Sequence, residues 1–253
     1  ENSRQHLLKS LELLLQKYDE DDPQMGTLYL EIGFLFEKEG DSEEALKYKE
    51  KGVALCEKKY GEDNFMMCPI YANLGDLYEA LRLYPEALEY YQKSFDLAIK
   101  KYGNEPNIQV AMVLSYIGNA YCHLENNEKS LEHFQKSLEM FEKLNIKNEA
   151  IVGTLYNNIG TVYSKLGEIE EAIEYFKKAI IVRTNVFGPN HIEVAHAYKN
   201  IGAAYASLER FSDAKISIQK ALAIFSQNYG NQHPECKELE DIIEHFDRLM
   251  RNE

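Results

Sequence analysis

The chain has 253 residues, with 42 Asp and Glu against 28 Lys and Arg and a formal charge of −14. No concentrated basic surface is written into it, which excludes binding to nucleic acid or to an anionic membrane by charge neutralisation. Apolar residues make up 45% and charged residues 28%, the balance of a soluble folded chain rather than a disordered one.

No apolar stretch approaches the roughly 18–20 residues that span a bilayer. The first residues, ENSRQHLLKSLELLL, lack the basic region and cleavage site of a signal peptide. Without an initiator Met, the chain reads as a fragment of a longer protein. Cys56, Cys68, Cys122 and Cys236 are far apart and form no CxxC pair, as expected for free thiols in a reduced, cytoplasmic protein.

Five glycines set the organisation. They are Gly33 in YLEIGFLF, Gly75 in YANLGDLY, Gly118 in LSYIGNAY, Gly160 in YNNIGTVY and Gly202 in YKNIGAAY, spaced 42, 43, 42 and 42 apart. Self-similarity at such a period marks a stacked array, in which each unit buries its apolar face against its neighbours. From the N-terminus, residues 2–18 read as the second helix of a truncated unit, because Tyr18 lies 42 residues before Tyr60. Full units are expected at 24–61, 65–103, 107–145, 148–188 and 191–230, followed by a capping helix at 234–251. All belong to one array, 1–253.

Each unit reads as two helices. Tyr156, Ile159 and Tyr163 form the apolar stripe of one; Ala172, Ile173, Phe176, Ala179 and Ile180 form that of the next. A mid-helix Gly costs about 1 kcal/mol relative to Ala, so five at one phase imply close helix contact. Gly61, Gly103, Gly188 and Gly230 follow an aromatic residue at the end of the second helix and are expected in the left-handed C′ conformation. In the third unit KLNIKN replaces this punctuation. Pro106, Pro189 and Pro234 restrict the links. Pro69, six residues before Gly75, predicts a late helix start and a looser GEDNFMMC link.

The pattern aromatic-x-x-[I/L]-G-x-x-[Y/F], with Ala45, Ala87, Ala172 and Ala214 twelve residues after the Gly and Ser130 in the third unit, resembles the tetratricopeptide repeat. Its 42-residue period and YG..HP-like links resemble the kinesin light chain subtype. The resemblance covers essentially the whole chain. It implies an all-α, right-handed superhelical solenoid of antiparallel helix pairs, whose first helices line a concave groove that holds an extended peptide. It also implies that the Asn two residues before the Gly meets the peptide backbone; Asn73, Asn158 and Asn200 match this position, whereas Glu31 and Tyr116 do not. An amide that both donates and accepts suits a main chain, while an Asn facing solvent or bonding a neighbouring helix is the alternative.

Helical spacing adds Asp76 and Glu79, Asn119 and His123, Asn157, Thr161 and Lys165, and Lys199 to the same face. Acidic residues cluster early and lysines late, a pattern suited to orienting a ligand or simply to a solvated face. The kinesin light chain groove favours acidic motifs with an aromatic anchor, and the acidic first half here departs from that preference. The Lys and Arg set of a carboxylate clamp is missing.

No HExxH, CxxC, GxxxxGK[ST], GxGxxG or GxSxG motif occurs, so no catalytic residue, metal or cofactor is expected. His233 and Cys236 in HPEC are the nearest approach to a metal pair, and two ligands without a second pair read as incidental. The leading expectation is therefore a non-enzymatic scaffold that binds a linear segment of a partner protein. A structural spacer or self-assembly module, or a peptide-sensing regulator, is the alternative; the sequence does not determine the oligomeric state.

Overall fold

The computed structural model describes residues 2–147 and 149–251. Residue 148, where the fourth unit is expected to begin, lies outside the described residues. Among the described residues the chain is helical without strands. It divides into two compact units, 1–125 and 126–253.

The first unit comprises α1 (Asn2–Leu14), a short 3-10 turn (Pro23–Met25), α2 (Gly26–Lys38), α3 (Ser42–Tyr60), α4 (Met67–Ala80), α5 (Tyr84–Tyr102) and α6 (Ile108–His123). In the second are α7 (Asn127–Lys143), α8 (Ala150–Leu166), α9 (Ile169–Phe187), α10 (Ile192–Ser207), α11 (Phe211–Tyr229) and α12 (Pro234–Arg251). Within each unit every helix packs on the next in sequence. α1 stops at Leu14, short of Tyr18, where Lys17 and Tyr18 both bond back to the Leu14 carbonyl.

Within each unit the phased glycines Gly33, Gly75, Gly160 and Gly202 admit the second helix of their own pair. A Cβ on Gly75 would lie 2.6 Å from the Tyr91 ring, and one on Gly160 would lie 2.8 Å from Phe176 and 3.2 Å from the Ala172 carbonyl. Tyr91, Phe176, Ala87 and Ala172 are all buried, so the interface has little room to retreat. Arg183 extends this logic: it is buried beside Gly153 and bonds the Glu193 carbonyl at 2.9 Å and its carboxylate at 3.0 Å, joining α9 to α10.

The turn inside each pair has a second phase that the sequence does not advertise. Seven residues after each marker glycine the backbone is left-handed, with positive φ at Gly40, Arg82, Glu125, Gly167 and Glu209. Asp41, Leu83, Glu168 and Arg210 then bond back five residues to Phe36, Tyr78, Tyr163 and Tyr205. That is the six-to-one bond of a Schellman close.

The second set of glycines differs from expectation. Gly188 has φ 88 and ψ 160, and Gly61, Gly103 and Gly230 share its positive φ with an extended ψ. This region is open essentially to glycine alone, which has no Cβ to clash there, and it lets the chain leave the helix extended rather than curl into another turn. Where KLNIKN stands, Asn145 takes positive φ and Ile146 bonds back to Phe141, so an Asn fills the left-handed position.

Pro69 occupies the third position of α4, which begins eight residues before its marker glycine rather than the ten of α6, α8 and α10. A proline there costs no helical hydrogen bond. The preceding link is not loose. Asn64 accepts from Met66 N at 3.0 Å and donates to the Tyr60 carbonyl at 3.2 Å, while Met67 and Cys68 close further turns.

Candidate peptide-binding faces

The links between pairs orient the first helices through one local device. Asp22, Asn64, Asn107, His191 and His233 each accept, through a side-chain atom, the backbone N–H two residues on. This satisfies a donor at the helix start. In the last two the acceptor is imidazole Nδ1, and the rings stack on Phe187 and Tyr229 at 4.5 Å. His233 is thus a helix cap. Cys236, buried behind it, contacts the Gly230 carbonyl at 3.5 Å. Among the described residues no group of three His, Cys, Asp or Glu could hold a metal ion. No described helix is long and apolar enough to cross a membrane.

In the first unit, α2 and α4 flank a cavity of about 470 Å³. Leu30, Phe34, Ile70 and Leu74 supply its apolar lining, with Glu31, Glu37, Lys49, Asn73 and Asp76 as its polar groups. Phe34 is 49% exposed. Lys49 is buried, bonds Glu37 at 2.5 Å and reaches the Asn73 carbonyl at 3.4 Å. It stands sixteen residues after its marker glycine, where the other units carry Tyr91, Phe134, Phe176 and Ile218.

Beyond it, Tyr91 on α5 donates toward Asp76 at 2.8 Å and Glu79 at 3.0 Å, while Asn119 on α6 donates to the other oxygen of Glu79 at 2.5 Å. Burial pushes the Asp76 carboxyl above the usual range; the Tyr91 bond opposes this and the neighbouring Glu79 charge adds to it. Burial, reinforced by both carboxylates, raises the Tyr91 phenol. His123 lies apart from this network, stacked on Tyr84 at 4.4 Å.

In the second unit, Asn200 on α10 donates to Asn157 on α8 at 2.8 Å, and Thr161 donates to the Asn157 carbonyl at 3.0 Å. Asn158 is half-buried, and its amide has no hydrogen-bond partner among the described residues. Lys165 is exposed. Lys199 bonds Glu235 at 2.8 Å and pairs with Glu238 at 3.3 Å, both on α12. Burial opposes the Lys199 charge, but the bond to Glu235 and both carboxylate charges outweigh it and hold its pKa above the ordinary value. The same bond holds the Glu235 carboxyl low.

Asn73 and Asp76 therefore share the α2–α4 groove, and Asn157 and Asn200 meet across α8 and α10. Asn119 joins the Asp76 network through Glu79, while Lys199 is neutralised by α12. Sequence spacing did not single out Phe34, Lys49 or Tyr91 for this face. The departures at positions 34 and 49 from their counterparts in the other units were the available signal.

The tetratricopeptide repeat profile matches residues 24–100, 65–143, 109–180 and 151–227. The chain belongs to the tetratricopeptide repeat family. Members of this family bind protein or peptide partners and are typically non-catalytic interaction scaffolds. No curated protein sequence matches the chain.

Among solved structures, BtubC (BKLC) from P. vanneervenii is similar at 21% identity and a TM-score of 0.71, over 92% of each chain. A Podosopora anserina protein with nearly identical kinesin light chain TPR-like repeats is 15% identical, with a TM-score of 0.67 over 82% of this chain and 98% of that one. YrrB, a TPR protein with an unusual peptide-binding site, is 20% identical, with a TM-score of 0.53 over 93% and 97%. At these identities the likeness is one of fold.

Proposed function

We propose that this tetratricopeptide repeat chain is a non-enzymatic cytoplasmic scaffold that holds a short linear segment of a partner protein against its first-helix faces, in the manner of kinesin light chain-type adaptors. The groove between α2 and α4 carries the reading. It combines an apolar socket around the half-exposed Phe34 with the amide of Asn73 at its edge. Side-chain sockets beside groups that bond a main chain are what an extended segment needs. In the second unit, Asn158 offers an amide unpaired among the described residues, next in sequence to the Asn157 that Asn200 bonds.

Panning a random peptide library against the wild-type chain, Asn73→Ala, and Asn158→Ala/Asn200→Ala tests the reading, with circular dichroism confirming that each folds. A motif enriched by the wild type and lost in a variant supports it. Enrichment indifferent to all these substitutions and to Phe34→Ser in the α2–α4 groove, or none at all, overturns it.

A second reading, a spacer or self-assembly module, is favoured by Ile181 on α9 and Ile216 on α11, exposed at 60% and 50%. Sedimentation of the wild type against Ile181→Ser/Ile216→Ser separates the two. Self-association abolished by that pair of substitutions would favour assembly.

A further inference from the structure

Building on the proposal that the first-helix faces hold a linear segment, we infer that the α2–α4 groove takes a basic one: an aliphatic or aromatic side chain seated against Phe34, with lysine or arginine beside it. This charge is opposite to the one the kinesin light chain resemblance implies.

The socket selects the anchor. Phe34 leaves about half its surface in water above the apolar side chains of Leu30, Ile70 and Leu74, and covering it removes apolar area that folding left exposed. Lys38 already lies over the Phe34 ring at 4.6 Å. A cation is therefore compatible with this ring, and the half of Phe34 that stays exposed with Lys38 in place is what the anchor would cover.

The rim selects the charge. Glu31 is exposed, and Glu37 and Asp76 line the same groove. Among these groups Lys49 is the cation, but it is buried and held at 2.5 Å by Glu37. That leaves Glu31 and Asp76 lining the opening with no ion pair of their own among the described residues, although the Lys49 charge reaches Asp76 and Lys38 lies over Phe34.

Asp76 is short of donors as well as of charge. It and Glu79 converge on the single Tyr91 hydroxyl, which has one proton to give, and Asn119 serves Glu79 alone. A carboxylate pair can accept several more bonds than these. A guanidinium or ammonium would supply the missing donors and charge together. An acidic segment would instead set like charges beside Glu31 and Asp76, which costs affinity.

Three phage-displayed libraries test this, each with a central Leu, Phe, Tyr or Trp flanked by Lys and Arg, by Asp and Glu, or by Ser and Gln. They are panned against the wild-type chain, Phe34→Ser, Glu31→Lys and Asn158→Ala/Asn200→Ala, with folding checked by circular dichroism. The expected result is enrichment of the basic-flank library. Its selected peptides should lose roughly tenfold or more in affinity on Phe34→Ser and weaken on Glu31→Lys and with added salt. Should Phe34→Ser fail to fold, the exposed Glu31→Lys change keeps the charge claim open to refutation.

Enrichment of acidic or neutral flanks that depends on Phe34 would overturn the charge assignment and leave peptide binding standing. Binding that depends on Asn158 and Asn200 but ignores Phe34 and Glu31 would overturn this groove and leave the general reading. Self-association abolished by Phe34→Ser would identify a second copy as the occupant and overturn the inference. No enrichment of any library would overturn both readings.

Discussion

The Tyr91 hydroxyl lies 2.8 Å from Asp76 and 3.0 Å from Glu79, so one phenolic proton serves two carboxylates. Removing it in Tyr91→Phe leaves both short of a donor in a part-buried place. The expected loss is about 1–3 kcal/mol of stability, read from urea denaturation. Asp76→Asn should recover part of it, because an amide brings its own donor toward Glu79. Equal losses in the single and double variants would refute the shared-proton account.

The pH dependence has a definite sign. Burial first, then the Glu79 and Glu37 charges, raise Asp76 against the opposing Tyr91 bond and Lys49 charge. A carboxyl raised on folding favours the folded state while protonated, and that contribution fades as pH climbs from the unfolded pKa through the folded one. Asp76→Asn is therefore expected to flatten the stability decline over that window and to be the more stable form at pH 7. A basic peptide bound here would prefer ionised Asp76, so its affinity should weaken as pH falls through the same window. Parallel pH profiles for wild type and Asp76→Asn, in stability and in affinity, would contradict this assignment.

Gly160→Ala sets two effects against each other. Helix propensity favours Ala by about 1 kcal/mol. The new methyl, however, would stand 2.8 Å from the buried Phe176 ring and 3.2 Å from the Ala172 carbonyl, and overpacking of that kind costs about 1–3 kcal/mol. A net loss is expected, relieved when Phe176 is trimmed to Leu. A stabilised Gly160→Ala protein would show that the α8–α9 contact can relax.

Much of the fold was legible because the 42-residue ruler is set by packing, and packing leaves its mark on side chains. The marker glycines and the alanines twelve residues later could be read directly. The left-handed turn residues could not: Arg82, Glu125 and Glu209 carry positive φ with nothing in their chemistry to announce it. The faces were legible in outline through Asn73, Asp76, Asn157 and Asn200. The sequence places Lys199 on the groove face without its partners, because Glu235 and Glu238 come from α12, 36 and 39 residues on. Periodicity within one helix carries no record of such contacts.

Those concealed positions yield a direct test. A non-glycine residue in the left-handed region costs about 1–2 kcal/mol, part of which glycine returns through its greater unfolded-state entropy. Arg82→Gly, Glu125→Gly and Glu209→Gly should each stabilise the chain by about 0.5–1 kcal/mol. Gly167→Ala, the reverse change at the same phase, should destabilise it. Melting temperatures of the four variants decide this, and a uniform loss across the glycine series would mean that the side chains of these residues outweigh their backbone strain.

The histidine caps act through two separable contacts. His233 accepts the Glu235 N–H through Nδ1 at 3.3 Å, and its ring stacks on Tyr229 at 4.5 Å. His233→Ala removes both and should cost about 1 kcal/mol, the usual worth of a cap. His233→Asn keeps an acceptor at nearly the same reach, as Asn64 and Asn107 do in their own links, and should recover most of that loss if the cap dominates. His233→Phe retains a ring and no acceptor, and should recover most of it if stacking dominates. Amide hydrogen exchange at Glu235 and Cys236 reads the cap directly. Protection that survives His233→Phe and not His233→Asn would reassign the role of this histidine from capping α12 to stacking on Tyr229.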